Sequence, residues 1–260
     1  MTYRNLLIED RGAVRRIVIN RPDKLNALDR DTIGELHSAF AQAGADERVR
    51  ALVLAGSGEK AFVAGADIGE LAKLSPLQAL AFAREGQAMM LGIERLGKPV
   101  IARIQAFALG GGLELAMCCH LRVAGDKARV GQPAINLGLI PGFGGTQRLL
   151  RLAGRAAAIE LCVTGTPIDA ARAQALGILN RVVAQDKLDA EIDALSEQLA
   201  ASAPHALRGV LEAILVGGEL GIEAGLDYEA QAFGLCFSTN DMREGATAFL
   251  ERRKPAFSGS

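Results

Sequence analysis

The chain has 260 residues, half of them hydrophobic, with no tryptophan and two tyrosines, and its 29 basic and 30 acidic side chains leave a formal charge of -1. That length can bury a large, aliphatic core without disulfide or metal staples. The charge balance gives no electrostatic basis for nucleic acid or an anionic membrane as the main partner.

"LLIED" and "AVRRIVI" are β-like runs either side of Arg11-Gly12, so a hairpin is expected to open the fold, with Pro22 closing its second strand. Asp29 or Asp31 can cap a helix whose apolar positions Ile33, Leu36 and Phe40 recur at helical spacing. "RALVLAG" has strand length, and after a loop over 56–66 a second helix is expected near Asp67. The segment after Pro76, through Leu80, Met89, Met90 and Ile93 to Leu96, reads as a helix ended by Gly97. "PVIARIQ" and "LRVAG" read as strands flanking the buried helix of "GGGLELAMCCH". Strand and crossover helix therefore alternate to about residue 185, the pattern of an α/β core in ββα or βαβ units. From 186 onward only helices are expected, over 186–202, 204–216, 221–237 and 241–253. Their apolar surface has to meet the core, a neighbouring subunit, or both.

The cysteines, Cys118, Cys119, Cys162 and Cys236, lie in apolar runs without zinc spacing, which reads as buried thiols in a reducing compartment. The start lacks a signal-type core, and no apolar run approaches the roughly 20 residues of a membrane helix. A soluble, cytoplasmic protein without metal is expected.

Three constellations could carry chemistry. In "ALGGGLELAM" three glycines precede an apolar helix; free amides at such a start suit an anion or a developing oxyanion, while tight strand–helix packing explains the glycines equally well. "FVAGADIGEL" repeats the arrangement, with Asp67 placed as a helix cap. Two such helix starts meeting at one oxygen would make a two-donor oxyanion hole. Third, Glu114 sits between Leu113 and Leu115 on a segment too apolar for a surface helix, and a buried carboxylate needs either a partner, such as Arg103 or Arg122, or a catalytic task. His120 reads as a hydrogen-bonded core or rim histidine, since no second metal ligand is near.

"GQPAINLGLIPGFGGTQ", residues 131–147, is rich in glycine and free of titratable groups. It is not a dinucleotide fingerprint, because Gln147 stands where the third glycine belongs and no clear strand precedes it. No phosphate-binding G-x-x-x-x-G-K-[ST], H-E-x-x-H or G-x-S-x-G occurs either, which removes support for nucleotide hydrolysis, zinc protease and serine esterase chemistry.

Taken together, "NRPDKLNAL", "KAFVAGADIGEL", "KPVIARIQAFALGGGLELAMCCHLRVA", "GQPAINLGLIPGFGGTQRLLRLAG" and "REGATAFLERRKPAF" closely resemble the enoyl-CoA hydratase, or crotonase, family across almost the whole chain. The resemblance implies a spiral of ββα units (1–185) carrying the thioester site, and a C-terminal helical region (186–260) used in trimers or hexamers. It implies an acyl-CoA substrate, with coenzyme A as part of the substrate and no separate cofactor. By position, the amides of Ala66 and Gly111 would hold the thioester oxygen. Lys24 and Ala27 would lie toward the nucleotide end of CoA, with Ala64, Asp67, Ile68 and Gly69 along its path. Gly142 would contribute an amide, and Phe249 and Arg252 would reach a neighbouring subunit's CoA.

Hydratases of the family use two glutamates. One matches Glu114; the other belongs at position 134, where this chain has Ala134. Three readings stay open: a hydratase crippled by loss of the acid that serves C2, a single-glutamate member with another acyl-CoA reaction, and a non-catalytic thioester binder or RNA-binding relative, the last weakened by the neutral charge. The aspartate expected after "CC" is His120 here.

Overall fold

The computed structural model describes residues 3–260. Strands β1 (Leu6–Arg11) and β2 (Val14–Ile19) form the expected antiparallel hairpin, turning at Gly12, whose φ of 59° suits glycine. Of the two candidate caps, Asp29 starts α1 (Arg30–Ala45), its carboxylate accepting from the Thr32 amide at 2.8 Å. Strand β3 (Ala51–Gly56) then lies parallel to β2.

The segment expected to be a loop contains β4 (Ala61–Val63), followed by α2 (Ile68–Leu71), capped by Asp67, and α3 (Pro76–Glu94), opened by a Ser75–Gln78 capping box. Strands β5 (Val100–Ile104) and β6 (Phe107–Leu109) lead into α4 (Gly111–Cys118); β7 (Leu121–Gly125) and β8 (Arg129–Gly131) follow. A 3-10 turn over Pro133–Leu137 precedes α5 (Gly145–Thr164), which is broken at Gly154 (φ 77°, ψ 170°). Then come β9 (Ile168–Asp169), α6 (Ala170–Ala175) and β10 (Arg181–Val183).

The strands make two sheets, one of order β1-β2-β3-β5-β7-β10 and a smaller one of order β4-β6-β8-β9. Each of the pairs β3–β4, β5–β6 and β7–β8 gives one strand to the large sheet and one to the small sheet before a helix returns the chain. This is the ββα spiral. The short strands escaped the sequence reading because three residues are too few to display a period of two.

In β3 the alternation is visible only in three dimensions, since all six residues are buried. Leu52 and Leu54 join Ile33, Leu36, Met90 and Ile93 of α1 and α3 on one face, while Ala51 and Val53 meet Leu188, Ile192 and Leu195 on the other. The second group belongs to α7 (Leu188–Ala200), the first helix after the sheet.

Three further helices complete the chain, α8 (Pro204–Leu215), α9 (Ile222–Cys236) and α10 (Asn240–Leu250). Unlike α7 they leave large apolar side chains in solvent, among them Ile222, Phe233, Leu235 and Leu250. No single helix among the described residues is long and apolar enough to cross a membrane.

Candidate active site

Two glycine corners abut at the junction of the small sheet with its helices. The first leaves β4 through Gly65 (φ 114°) and is stitched to the chain after β2: Leu28 donates to Gly65 O, and Asp67 donates to Leu28 O, both at 2.8 Å. The second leaves β6 through Gly110 (φ 50°, ψ -122°), a conformation that L side chains rarely adopt, and enters α4 at Gly111. A β-carbon built on Gly111 would stand 3.5 Å from the Ala66 nitrogen, and one on Gly110 would stand 3.9 Å from Gly65 Cα. The corners are therefore neighbours in space. As the first residue of α4, Gly111 has an amide with no carbonyl to bond within the helix.

Glu114, one turn further along α4, is 2 % exposed. Neither arginine anticipated as its partner pairs with it. Arg103 grips Asp189 through two bonds of 2.7 and 2.9 Å, and Arg122 spends its guanidinium on the carbonyls of Ile178 and Cys119. Glu114 Oε1 instead accepts from the amides of Phe143, at 2.8 Å, and Gly145, at 2.6 Å. Gly145 opens α5, and the cap position before it is Gly144, which has no side chain to satisfy the first-turn amides. The Glu114 carboxylate takes that place from another helix, favoured by the positive end of α5. Burial pushes its carboxyl above the ordinary glutamate range, against the two amides and the more distant Arg148, which pull it down. Oε2 accepts no hydrogen bond from the described residues.

Ala134 lies half-buried in the 3-10 turn after β8, and that turn carries no acid. No other buried carboxylate replaces it: among the described residues the buried ones are Glu114 and Asp241, and Asp241 is committed to the amides of Ser258 and Gly259.

Beside the first corner opens a cleft of about 490 Å³ lined by Lys24, Asp29, Asp67, Gly69, Glu70, Lys73, Leu74 and Gln78. The chain reaches it through Leu25 and Asn26, both at positive φ, held by the buried Asn26 amide on the carbonyls of Ser57 and Ala61. Leu25 O accepts from the Ala64 amide at 3.1 Å, and Arg21 bonds the Ala27 carbonyl while bridging Asp29 and Asp67. Burial acts to raise the Asp67 carboxyl, but the Arg21 bond and charge, with the Gly69 and Glu70 amides, outweigh it and hold it low. Glu70 accepts from the Arg30 amide. The three acids are thus engaged, whereas Lys24 and Lys73 pair with no acid among the described residues.

The structure brings together Lys24, Ala27, Ala64, Ala66, Asp67 and Gly69, with Ile68 exposed at the head of α2. Gly142 lies on the loop that wraps Glu114, its carbonyl accepting from Gln87 at 2.8 Å. Phe249 and Arg252 are not brought into this cleft; they sit exposed at the end of α10. His120 is a structural histidine: Nδ1 accepts from the Val100 amide, so Nε2 carries the proton it donates to Glu94 O, and burial holds its pKa down. Sequence reasoning missed Arg21, Lys73 and Phe143. Arg21 stands in "NRP", but the two capping aspartates it bridges, Asp29 and Asp67, come beside it only in the fold.

Comparison with known proteins identifies the family. The sequence model of the enoyl-CoA hydratase/isomerase family matches residues 9–260. Crotonyl-CoA hydratase of Syntrophomonas wolfei is 43 % identical over 257 residues, covering 99 % of both chains. Short-chain-enoyl-CoA hydratase of Clostridium acetobutylicum is 42 % identical over 254 residues, covering 98 % of this chain and 97 % of its own. Among solved structures, an enoyl-CoA hydratase from Bacillus anthracis superposes with a TM-score of 0.96 at 36 % identity, covering 99 % of this chain and 100 % of its own. By matched length, identity and fold, this chain belongs to the enoyl-CoA hydratase/isomerase, or crotonase, family.

Proposed function

We propose that the protein adds water reversibly to a 2-trans-enoyl-CoA thioester, giving the 3-hydroxyacyl-CoA, and that Ala134 makes it slow. The observation that carries this reading is the meeting of the Ala66 and Gly111 corners beside the buried Glu114. In this reading the amides of Ala66 and Gly111 hold the thioester oxygen. Glu114 takes a proton from water as its oxygen bonds C3, charge flows through C2 onto that oxygen, and the resulting enolate is stabilised by two fixed donors. The proton that completes the addition at C2 comes from solvent, because no acid stands at position 134. Gly142 offers its amide to the attacking water. Lys24 and Lys73, with their charges unspent, face the phosphates of CoA, which enters as part of the substrate.

The two curated relatives named above are a crotonyl-CoA and a short-chain hydratase, so crotonyl-CoA is the substrate of choice for the test. Ala134→Glu should speed hydration by about 10²–10⁴, the usual worth of general acid–base catalysis, read as loss of the conjugated thioester absorbance. Equal rates in two proteins that both bind the thioester would refute the missing-acid reading. A second reading, a single-glutamate acyl-CoA reaction, rests on the lack of any substitute buried acid; an acyl-CoA converted by the parent to a product other than the 3-hydroxyacyl ester would favour it.

The exposed apolar side chains of α8 to α10 support a homotrimer or a hexamer of two trimers, built by the region 186–260. In that assembly Phe249 and Arg252, which do not line their own cleft, serve a neighbour's. A sole 27.3 kDa species in sedimentation would end this proposal. The buried thiols Cys118 and Cys119 suit the cytoplasm.

A further inference from the structure

Phe143 touches both halves of the site at once. Its amide donates to Glu114 Oε1 at 2.8 Å, and its carbonyl accepts from Arg148 Nη1 at 2.7 Å, an arginine clamped in turn by Glu94 at 2.6 Å. The ring, 3 % exposed, is wedged between two helices at positions where neither has a side chain. A β-carbon on Gly86 of α3 would stand 2.4 Å from Cδ1, and one on Gly111 of α4 would stand 3.2 Å from Cδ2. Phe82 closes the third side, its ring centroid 5.2 Å away. One edge of the ring thus fills the space that a β-carbon on Gly86 would need, and the other crowds the place of one on Gly111.

We propose that Phe143 is a positioning residue that sets the Gly111 amide and the Glu114 carboxylate as one rigid unit, its ring holding the first and its backbone the second. The inference rests on the oxyanion reading given above, and goes beyond it in naming what fixes the distance between donor and base. Interiors are packed densely enough that a change of one methylene is felt, and a misplacement of about 1 Å in a catalytic group can cost about 10² in rate. An ordinary core phenylalanine would contribute stability alone. A ring seated on a donor's backbone contributes geometry as well.

The test uses Phe143→Leu in the full chain, alone and with Ala134→Glu, and a chromophoric probe, 4-dimethylaminocinnamoyl-CoA, whose absorbance moves to the red as donors polarise the thioester oxygen. The expected result is a smaller red shift for the bound probe, together with a kcat about 10- to 100-fold lower in the Ala134→Glu background and a KM that hardly changes. Phe40→Leu, a core truncation in α1 away from the site, should lower Tm while leaving the red shift intact. If Phe143→Leu does not fold, Phe143→Met, which keeps bulk but removes the flat ring edges, carries the same test. A folded variant with the parent's red shift and kcat overturns the proposal. Failure of the underlying oxyanion reading looks different: the probe binds the unaltered protein without any red shift, and both ideas then fall before a Phe143 variant is made.

Discussion

Gly112 backs onto Val63 so closely that a β-carbon on it would stand 1.9 Å from the Val63 carbonyl oxygen. The three consecutive glycines therefore do three jobs. Gly110 adopts a backbone conformation suited to glycine, Gly111 leaves Phe143 and Ala66 the room that a β-carbon would crowd, and Gly112 lets α4 lie against β4. Packing and anion binding were alternatives on the sequence; in the fold Gly112 takes the packing role, and the proposed oxyanion contact falls to Gly111.

Gly112→Ala should accordingly destabilise the protein at or above the upper end of the about 1–3 kcal/mol typical of overpacking. At Gly142 an added β-carbon meets nothing within 4 Å, so Gly142→Ala should leave stability nearly unchanged. Urea denaturation midpoints compare the two directly, and equal midpoints would contradict this division of roles.

Glu114→Gln should abolish hydration in the Ala134→Glu background, yet raise stability at neutral pH. The sign follows from the raised carboxyl. Folding favours the protonated form, so the stability contributed by Glu114 is fully present below its unfolded value, near 4.5, and is lost as pH rises through the higher folded value. Glutamine keeps an oxygen for the Phe143 and Gly145 amides but never ionises. Melting curves of the two proteins should separate with rising pH and converge below about pH 4.5. A gap that instead widens toward acid would mean that the charged carboxylate is the favoured form.

Lys24→Ala and Lys73→Ala should each weaken acyl-CoA binding about 1.4- to 5-fold, in keeping with the 0.2–1 kcal/mol of exposed charge pairs, and more at low salt than at high. Titration of the matching pantetheine thioester, which lacks the nucleotide phosphates, separates a phosphate contact from a general effect. An equal loss for both esters would remove the lysines from the phosphate end.

What the sequence determined by itself was local. The hairpin at Arg11-Gly12, a cap at Asp29 or Asp31, the strand of "RALVLAG" and the glycine-led start of α4 all follow from residues within a turn or two of each other, where periodicity, capping and backbone freedom operate. The absence of a carboxylate at Ala134 was equally plain. Only the tertiary structure decided what Glu114 meets, because its partners, Phe143 and Gly145, lie 29 and 31 residues away and become available when α5 begins at a glycine without a cap. The same holds for the three-residue strands β4, β6 and β8, which exist through pairing with one another, and for the ring of Phe143, whose place is set by two glycines on separate helices. Side chains that act across the fold are defined by packing distances, and a distance between segments remote in the chain has no signature in either segment alone.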